Sequence, residues 1–168
     1  TTLLTALFAS GGILGFWLAA KRIGNGTDAN RIAGFGAMFG TLGFAGVLLA
    51  APLGSAGLFA CGIAVIGFGA GLFGHGTLTA TMNSAPAEQR GLALGAWGAV
   101  QATAAGIGVA LGGVIRDTLS SLEPGSVLTP YLSVYILEVI LLIAAIVTMN
   151  TLIKSPAGAA PSPTAHIR

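Results

Sequence analysis

The sequence predicts an all-α integral membrane protein with five transmembrane helices, and three observations carry that prediction. Only 7% of its 168 residues are charged while 54% are apolar, and the mean hydropathy is +0.89. A soluble domain carries about 25% charged residues, so this chain cannot clothe a water-facing surface. The few charges cluster, and the uncharged stretches between them approach one or two multiples of the roughly 20 residues that cross a bilayer. Glycine occurs 27 times, which suits helices that associate by close backbone approach in lipid. This composition excludes a soluble enzyme, a disordered segment and a nucleic-acid binder. The pI near 9.1 does not rescue the last, because a net charge of +2 is too small to hold a polyanion.

The first helix is expected over about 1–20, a stretch without charge. It has no positive region ahead of its apolar run, so it does not read as a signal peptide. Thr1 opens inside that run, as expected where a start has been removed or where the chain is part of a longer one. A polar loop, KRIGNGTDANR, follows with Gly24 and Gly26 as breakers. Residues 32–87 then carry no formal charge, which is too long for one helix and right for two. The break is Ala51-Pro52-Leu53-Gly54-Ser55, since Pro and Gly together mark a turn. The second and third helices are therefore expected over about 32–51 and 55–81. A second polar loop, NSAPAEQRG, leads into a fourth helix over about 92–115. A third loop, RDTLSSLEPGSVL, leads into a fifth over about 130–153. The tail 154–168 is rich in Pro, Ala and Ser and is expected to be disordered.

Orientation follows from Lys and Arg. Lys21, Arg22, Arg31, Arg90, Lys154 and Arg168 fall on one face, and Arg116 alone on the other. That asymmetry places the tail and the first and second polar loops in the cytoplasm.

Each of the first four helices carries a Gly-x-x-x-Gly pair: Gly11/Gly15, Gly36/Gly40, Gly67/Gly71, and in the fourth both Gly91/Gly95 and Gly108/Gly112. Ordinary helix packing is the simpler meaning, and hinges for alternating access the sharper one. The fourth helix, with Gly91, Gly95, Gly108 and Gly112, is expected to depend on them most. The fifth has no such pair and is rich in Leu, Ile and Val, so it is expected to face lipid or a partner.

Few polar groups lie at membrane depth. Glu138 is the one formal charge inside an expected span, roughly 12 Å from the start of the fifth helix at helical rise. It shares a helical stripe with Tyr131, Tyr135 and Leu142, which brings the tyrosine hydroxyls within possible reach of the carboxyl. A carboxyl there is paired, protonated or facing a polar cavity. It serves proton coupling, contact with a partner or pigment, or simply helix packing. His75 stands in GLFGHG near the cytoplasmic end of the third helix, with Gly71 one turn before it. A neutral imidazole is a good axial ligand, and a flat macrocycle needs bare backbone beside its ligand. The competing reading is an interfacial His bonded to a neighbouring carbonyl. Gln101, flanked by Trp97 and Thr103, suits an interhelical hydrogen bond. No second His stands at metal-ligand spacing, so no zinc site is expected, and Cys61 is the sole cysteine. No nucleophile–base set, phosphate loop or carboxylate pair is present, and no enzymatic activity is expected.

The turn Ala85-Pro86-Ala87-Glu88-Gln89-Arg90-Gly91 leading into a Gly-rich helix resembles the cytoplasmic loop between helices ten and eleven of the major facilitator superfamily. Within it, GLALGAWGAVQATAAG from Gly91 to Gly106 closely resembles the PucC family, also called the bacteriochlorophyll delivery family, which includes LhaA. LLTALFASGGILGFWLAAKRIGNG and IGFGAGLFGHGTLTATM fit the same family. The resemblance covers all five helices and implies a role in assembling bacterial light-harvesting complexes, with bacteriochlorophyll as the pigment handled. The partners it implies are light-harvesting and reaction-centre polypeptides and membrane lipids, in the intracytoplasmic (chromatophore) inner membrane. Superfamily members have twelve spans in two halves, and the five helices here match spans eight to twelve. Alternating access needs two halves rocking about a central site. Assembly is therefore the leading expectation, and half of a transporter for a small molecule or pigment the alternative.

Overall fold

The computed structural model describes residues 2–122 and 128–154. Those residues form five α-helices and one short 3-10 turn, with no strand among them: α1 (Thr2–Gly24), α2 (Ala29–Ala50), α3 (Ala56–Ser84), the turn Ala87–Gln89, α4 (Arg90–Leu122) and α5 (Leu128–Lys154). All five are long and apolar enough to cross a membrane.

The helix boundaries follow local chemistry. Asp28 caps α2 by accepting from the Arg31 amide at 3.0 Å, and Ser55 caps α3 by accepting from the Leu58 amide at 3.2 Å; each answers one orphan donor of a helix start. Gly26 and Gly54 adopt φ of +90° and +58° in the two intervening turns, conformations that cost other residues a steric clash. Helix α1 runs past the expected end at residue 20 to Gly24, because Lys21 and Arg22 suit a helix C-terminus. Helix α4 overruns its expected end at 115 by seven residues, to Leu122. The stretch RDTLSSL holds no Gly or Pro to stop it, and the Arg116–Asp117 ion pair at 2.7 Å sits on its surface. Residues 155–168, where a disordered tail was expected, lie outside the described residues.

Helix α3 occupies the middle, with α1 on one side and α2 on the other. Its two faces are built from separate sets of glycines. Gly67 and Gly71 face α1: a Cβ at Gly67 would collide with the Phe8 carbonyl, and one at Gly71 with the Gly12 carbonyl and, at 2.7 Å, the Phe16 nitrogen. Gly11 and Gly15 answer from α1, against the backbone of Ala64 and Phe68. Gly62, Gly69 and Gly76, seven residues apart, face α2. Cβ atoms there would lie 2.9 Å from the Gly43 oxygen, 2.6 Å from the Gly40 nitrogen and 2.7 Å from the Ala33 nitrogen. Seven residues is two near-turns of a 3.5-residue repeat, which keeps one face on one partner.

The interior is therefore made of small residues. Ala19, Ala29, Ala33, Ala37 and Ala50 are buried, with Leu72, Ile32 and Val47 the larger aliphatic side chains among them. No polar or charged residue is buried among the described residues. Large apolar side chains such as Leu3, Ile13, Leu92 and Val109 point outward. This inversion of the soluble pattern is expected where lipid is the solvent and backbone approach holds the helices together.

Helix α5 lies against α2 and α4. Leu142 rests on Gly40 at 3.7 Å and Val134 on Gly112 at 3.6 Å from where their Cβ atoms would stand. Helix α5 is thus a packed helix as well as a lipid-facing one. Helix α4 sits at the margin and contributes no buried residue.

Candidate functional site

Three places gather the polar groups and unfilled surfaces singled out in the sequence. The first is the α1–α3 seam around His75. Its ring meets the Phe16 ring edge-on, with centroids 4.3 Å apart. Its Nδ1 is enclosed and has no hydrogen-bond partner. The carbonyl partner expected for an interfacial His is therefore absent at that nitrogen. Gly71, expected to leave bare backbone for a macrocycle, is closed off by Gly12 and Phe16 of α1. Its missing side chain admits a helix. Gly74, by contrast, has nothing within 4 Å of its Cβ position.

The second place is a pair of hollows along α5. The stripe expected of Tyr131, Tyr135, Glu138 and Leu142 is present but divided. Tyr131 and Tyr135 line a hollow of about 430 Å³ against the α2–α3 turn, with Phe59 and Ser55 opposite. Glu138 and Leu142 line a crevice of about 290 Å³ among α1, α2, α3 and α5. The tilted pair Phe44–Tyr135, centroids 6.3 Å apart, stands between the two. No hydrogen bond joins either tyrosine to Glu138 among the described residues.

The third place is the open face of α4. Gly91, Gly95 and Gly108 have nothing within 4 Å of their Cβ positions, and Gly112 meets only Val134. The expectation that these glycines carry the closest packing is corrected for contacts within this chain, where α1, α2 and α3 make the close approaches. The reason is positional: α4 reaches α5 and α3 over a limited length and leaves most of its surface free. Gln101 is half-buried and makes no side-chain hydrogen bond among the described residues. A hydrogen bond from α4 to α3 comes instead from Trp97, whose Nε1 donates to Thr77 Oγ1 at 3.2 Å. Nothing in the local sequence pairs those two residues, which stand 20 positions apart on different helices.

These arrangements offer docking and enclosure of apolar groups. Among the described residues no group of three His, Cys, Asp or Glu is placed to hold a metal ion, and Cys61 is a free, exposed thiol.

Comparison with known proteins bears on what docks there. The model of a family described as PUCC protein matches residues 1–157. The chain is similar to Protein PucC of Cereibacter sphaeroides, 48% identical over 161 residues, covering 92% of this chain and 34% of that protein. It is similar to Protein PucC of Rhodobacter capsulatus, 49% identical over 160 residues, with the same shares covered. An uncharacterized MFS-type transporter of Mycobacterium tuberculosis is 39% identical over 79 residues, 44% of this chain and 14% of that one. The chain thus spans about a third of the length of the PucC relatives it matches. No solved structure matches it significantly.

Proposed function

This chain belongs to the PUCC protein family, and from that premise we propose that it serves the assembly of bacterial light-harvesting and reaction-centre complexes, as a membrane-embedded docking component and not as an enzyme. The observation that carries the reading is the family match across residues 1–157, which takes in all five helices. The open face of α4 supports it: a helix with three glycines facing nothing is suited to a further helix. In this reading the protein lies in the intracytoplasmic (chromatophore) inner membrane, with the turn at Ala87–Gln89 and the C-terminus cytoplasmic.

Bacteriochlorophyll is the pigment the reading brings in, supplying the colour of the assembled antenna. Gly71 does not leave the bare backbone expected of a cradle beside His75, because Gly12 and Phe16 of α1 close it and the Phe16 ring meets the His75 ring edge-on. No step is derived through it.

The test is gentle detergent purification followed by an absorption spectrum and identification of co-purifying chains, together with a clean deletion. Light-harvesting or reaction-centre polypeptides are expected in the sample, and the deletion is expected to lower assembled antenna. Unchanged antenna and no photosynthetic polypeptide in the sample defeat the proposal. Cysteine introduced as Ala87→Cys, in a Cys61→Ala background, is expected to label only from the cytoplasmic side; periplasmic labelling reverses the orientation.

A second reading, half of a major facilitator transporter, is favoured by the similarity to the mycobacterial MFS-type protein. Seven further spans encoded upstream, with substrate flux lost on deletion and antenna unaffected, would put it first.

A further inference from the structure

Glu138 is the one carboxylate in the middle of a membrane-spanning helix, ten residues into α5 and so about 15 Å along it. It is half-buried and has neither a hydrogen bond nor an ion pair among the described residues. Arg116 lies inside α4 and pairs with Asp117 at 2.7 Å, and the other described Lys and Arg residues stand in the first or last turn of a helix, so none of the described cations is paired with Glu138. An ionisable group at that depth is expensive and persists where something pairs with it.

The crevice it lines narrows what that something is. Its walls carry three phenyl rings, Phe8, Phe44 and Phe73, and are otherwise built of Gly, Ala, Ile and Leu. An anion is repelled by the carboxylate. A divalent metal needs about six oxygen ligands, and Glu138 is the single oxygen-bearing side chain in the lining. A neutral polar molecule finds one hydrogen-bonding group and leaves its others unanswered. A transmembrane helix, about 10 Å across with its side chains, does not enter a space of about 290 Å³. An organic monocation satisfies every wall: its charge pairs with the carboxylate, its methyl or methylene groups lie on the phenyl faces, and its tail stays in apolar surroundings. The other hollow, lined by Tyr131 and Tyr135, is a separate space on the far side of the Phe44–Tyr135 pair.

We propose that the Glu138 crevice is a binding site for a lipophilic organic monocation, an alkylammonium in chemical class, with Glu138 as counter-ion and Phe8, Phe44 and Phe73 as its aromatic walls. The inference rests on this crevice and not on the assembly role.

The experiment is equilibrium binding of tritiated decyltrimethylammonium to the full chain in maltoside micelles. Its comparator is the uncharged isostere, with a tert-butyl group in place of the trimethylammonium. The parent is expected to bind the cation saturably at one per chain and the isostere at least about tenfold more weakly, a difference of about 1.4 kcal/mol. Glu138→Gln is expected to lose the preference for the cation while keeping the parent's melting temperature, and Glu138→Asp to retain part of it. Phe44→Leu is expected to weaken the cation without removing the preference. Absence of saturable binding by the parent, equal binding of the isostere, or an unchanged preference in Glu138→Gln overturns the site. Cross-linking of Glu138 to a basic side chain of a co-purified polypeptide, with the cation unable to compete, overturns it in favour of a protein partner.

Discussion

Helices α2 and α4 carry the same design and meet opposite fates. In α2, Ala29, Ala33, Gly36, Gly40, Gly43, Val47 and Ala50 recur at alternating spacings of four and three, and every one is buried. In α4, Gly91, Gly95, Gly98, Ala102, Ala105, Val109 and Gly112 recur at the same spacings, yet none is buried and Val109 is 78% exposed. Both stripes follow the 3.5-residue repeat that keeps a face on one partner helix. The difference lies in what stands opposite: α3 offers α2 a matching glycine row, and this chain offers α4 little. A small-residue stripe therefore states that a helix can be approached closely, and says nothing of by what.

Four tests break or sharpen that comparison. The largest effect is expected on the closed seam. In Gly36→Leu the new Cβ would meet the Gly69 oxygen at 2.7 Å and the Phe73 Cα at 2.8 Å. These are backbone atoms and cannot swing aside, so a loss of about 3 kcal/mol or more is expected. Thermal unfolding in detergent and the yield of folded protein measure it; a variant as stable as the parent would mean that the α2–α3 seam tolerates separation.

Trp97→Phe tests the hydrogen bond that ties α4 to α3. Removing the indole donor to Thr77 is expected to cost about 1 kcal/mol, the usual scale of an interhelical hydrogen bond in a membrane protein. The same unfolding assay reads it, and Thr77→Val should add little once Trp97 has been replaced. A full second loss in the double variant would show that the two residues act separately.

His75→Leu is expected to leave stability unchanged or raise it by up to about 1 kcal/mol, because it removes an enclosed nitrogen with no partner. A drop in melting temperature, or a loss of pigment absorbance from the purified sample, would restore His75 as a ligand or hydrogen-bonding group.

Gly95→Leu and Gly108→Leu are expected to shift the chain's own stability least, within about 0.5 kcal/mol, since nothing lies within 4 Å of either Cβ position. Their expected effect is on assembly. Co-purification of antenna or reaction-centre polypeptides should fall while the melting temperature holds. If both quantities stay at the parent's level, the α4 face is not a docking surface; if both fall, the stripe packs within the chain after all.

Much of this molecule is written along the chain. Seven per cent charge and the placement of Pro52, Gly54, Gly26 and the charged clusters determine that five apolar helices form and roughly where they turn. Those are local properties: a helix in lipid satisfies its own backbone hydrogen bonds whatever its neighbours do. The chain also announces Glu138 as a charge at depth, since no folding is needed to count residues from a helix end. Its error at the end of α4 is local too, because the polar residues after Ile115 change solvation without breaking a helix.

What only the tertiary structure decided is which face meets which partner. Gly71 read as bare backbone beside His75, and it is bare because α1 fills the space. Gln101 looked like the hydrogen-bonding residue of α4, and Trp97 makes the bond, because its indole reaches across to Thr77 on α3. Tyr135 and Glu138 share a stripe, but they line separate hollows, and Phe44 of another helix stands against Tyr135. Close packing depends on a pair of surfaces, and a single sequence stripe supplies one of the two. Its partner is fixed only when helices distant in the chain are laid side by side.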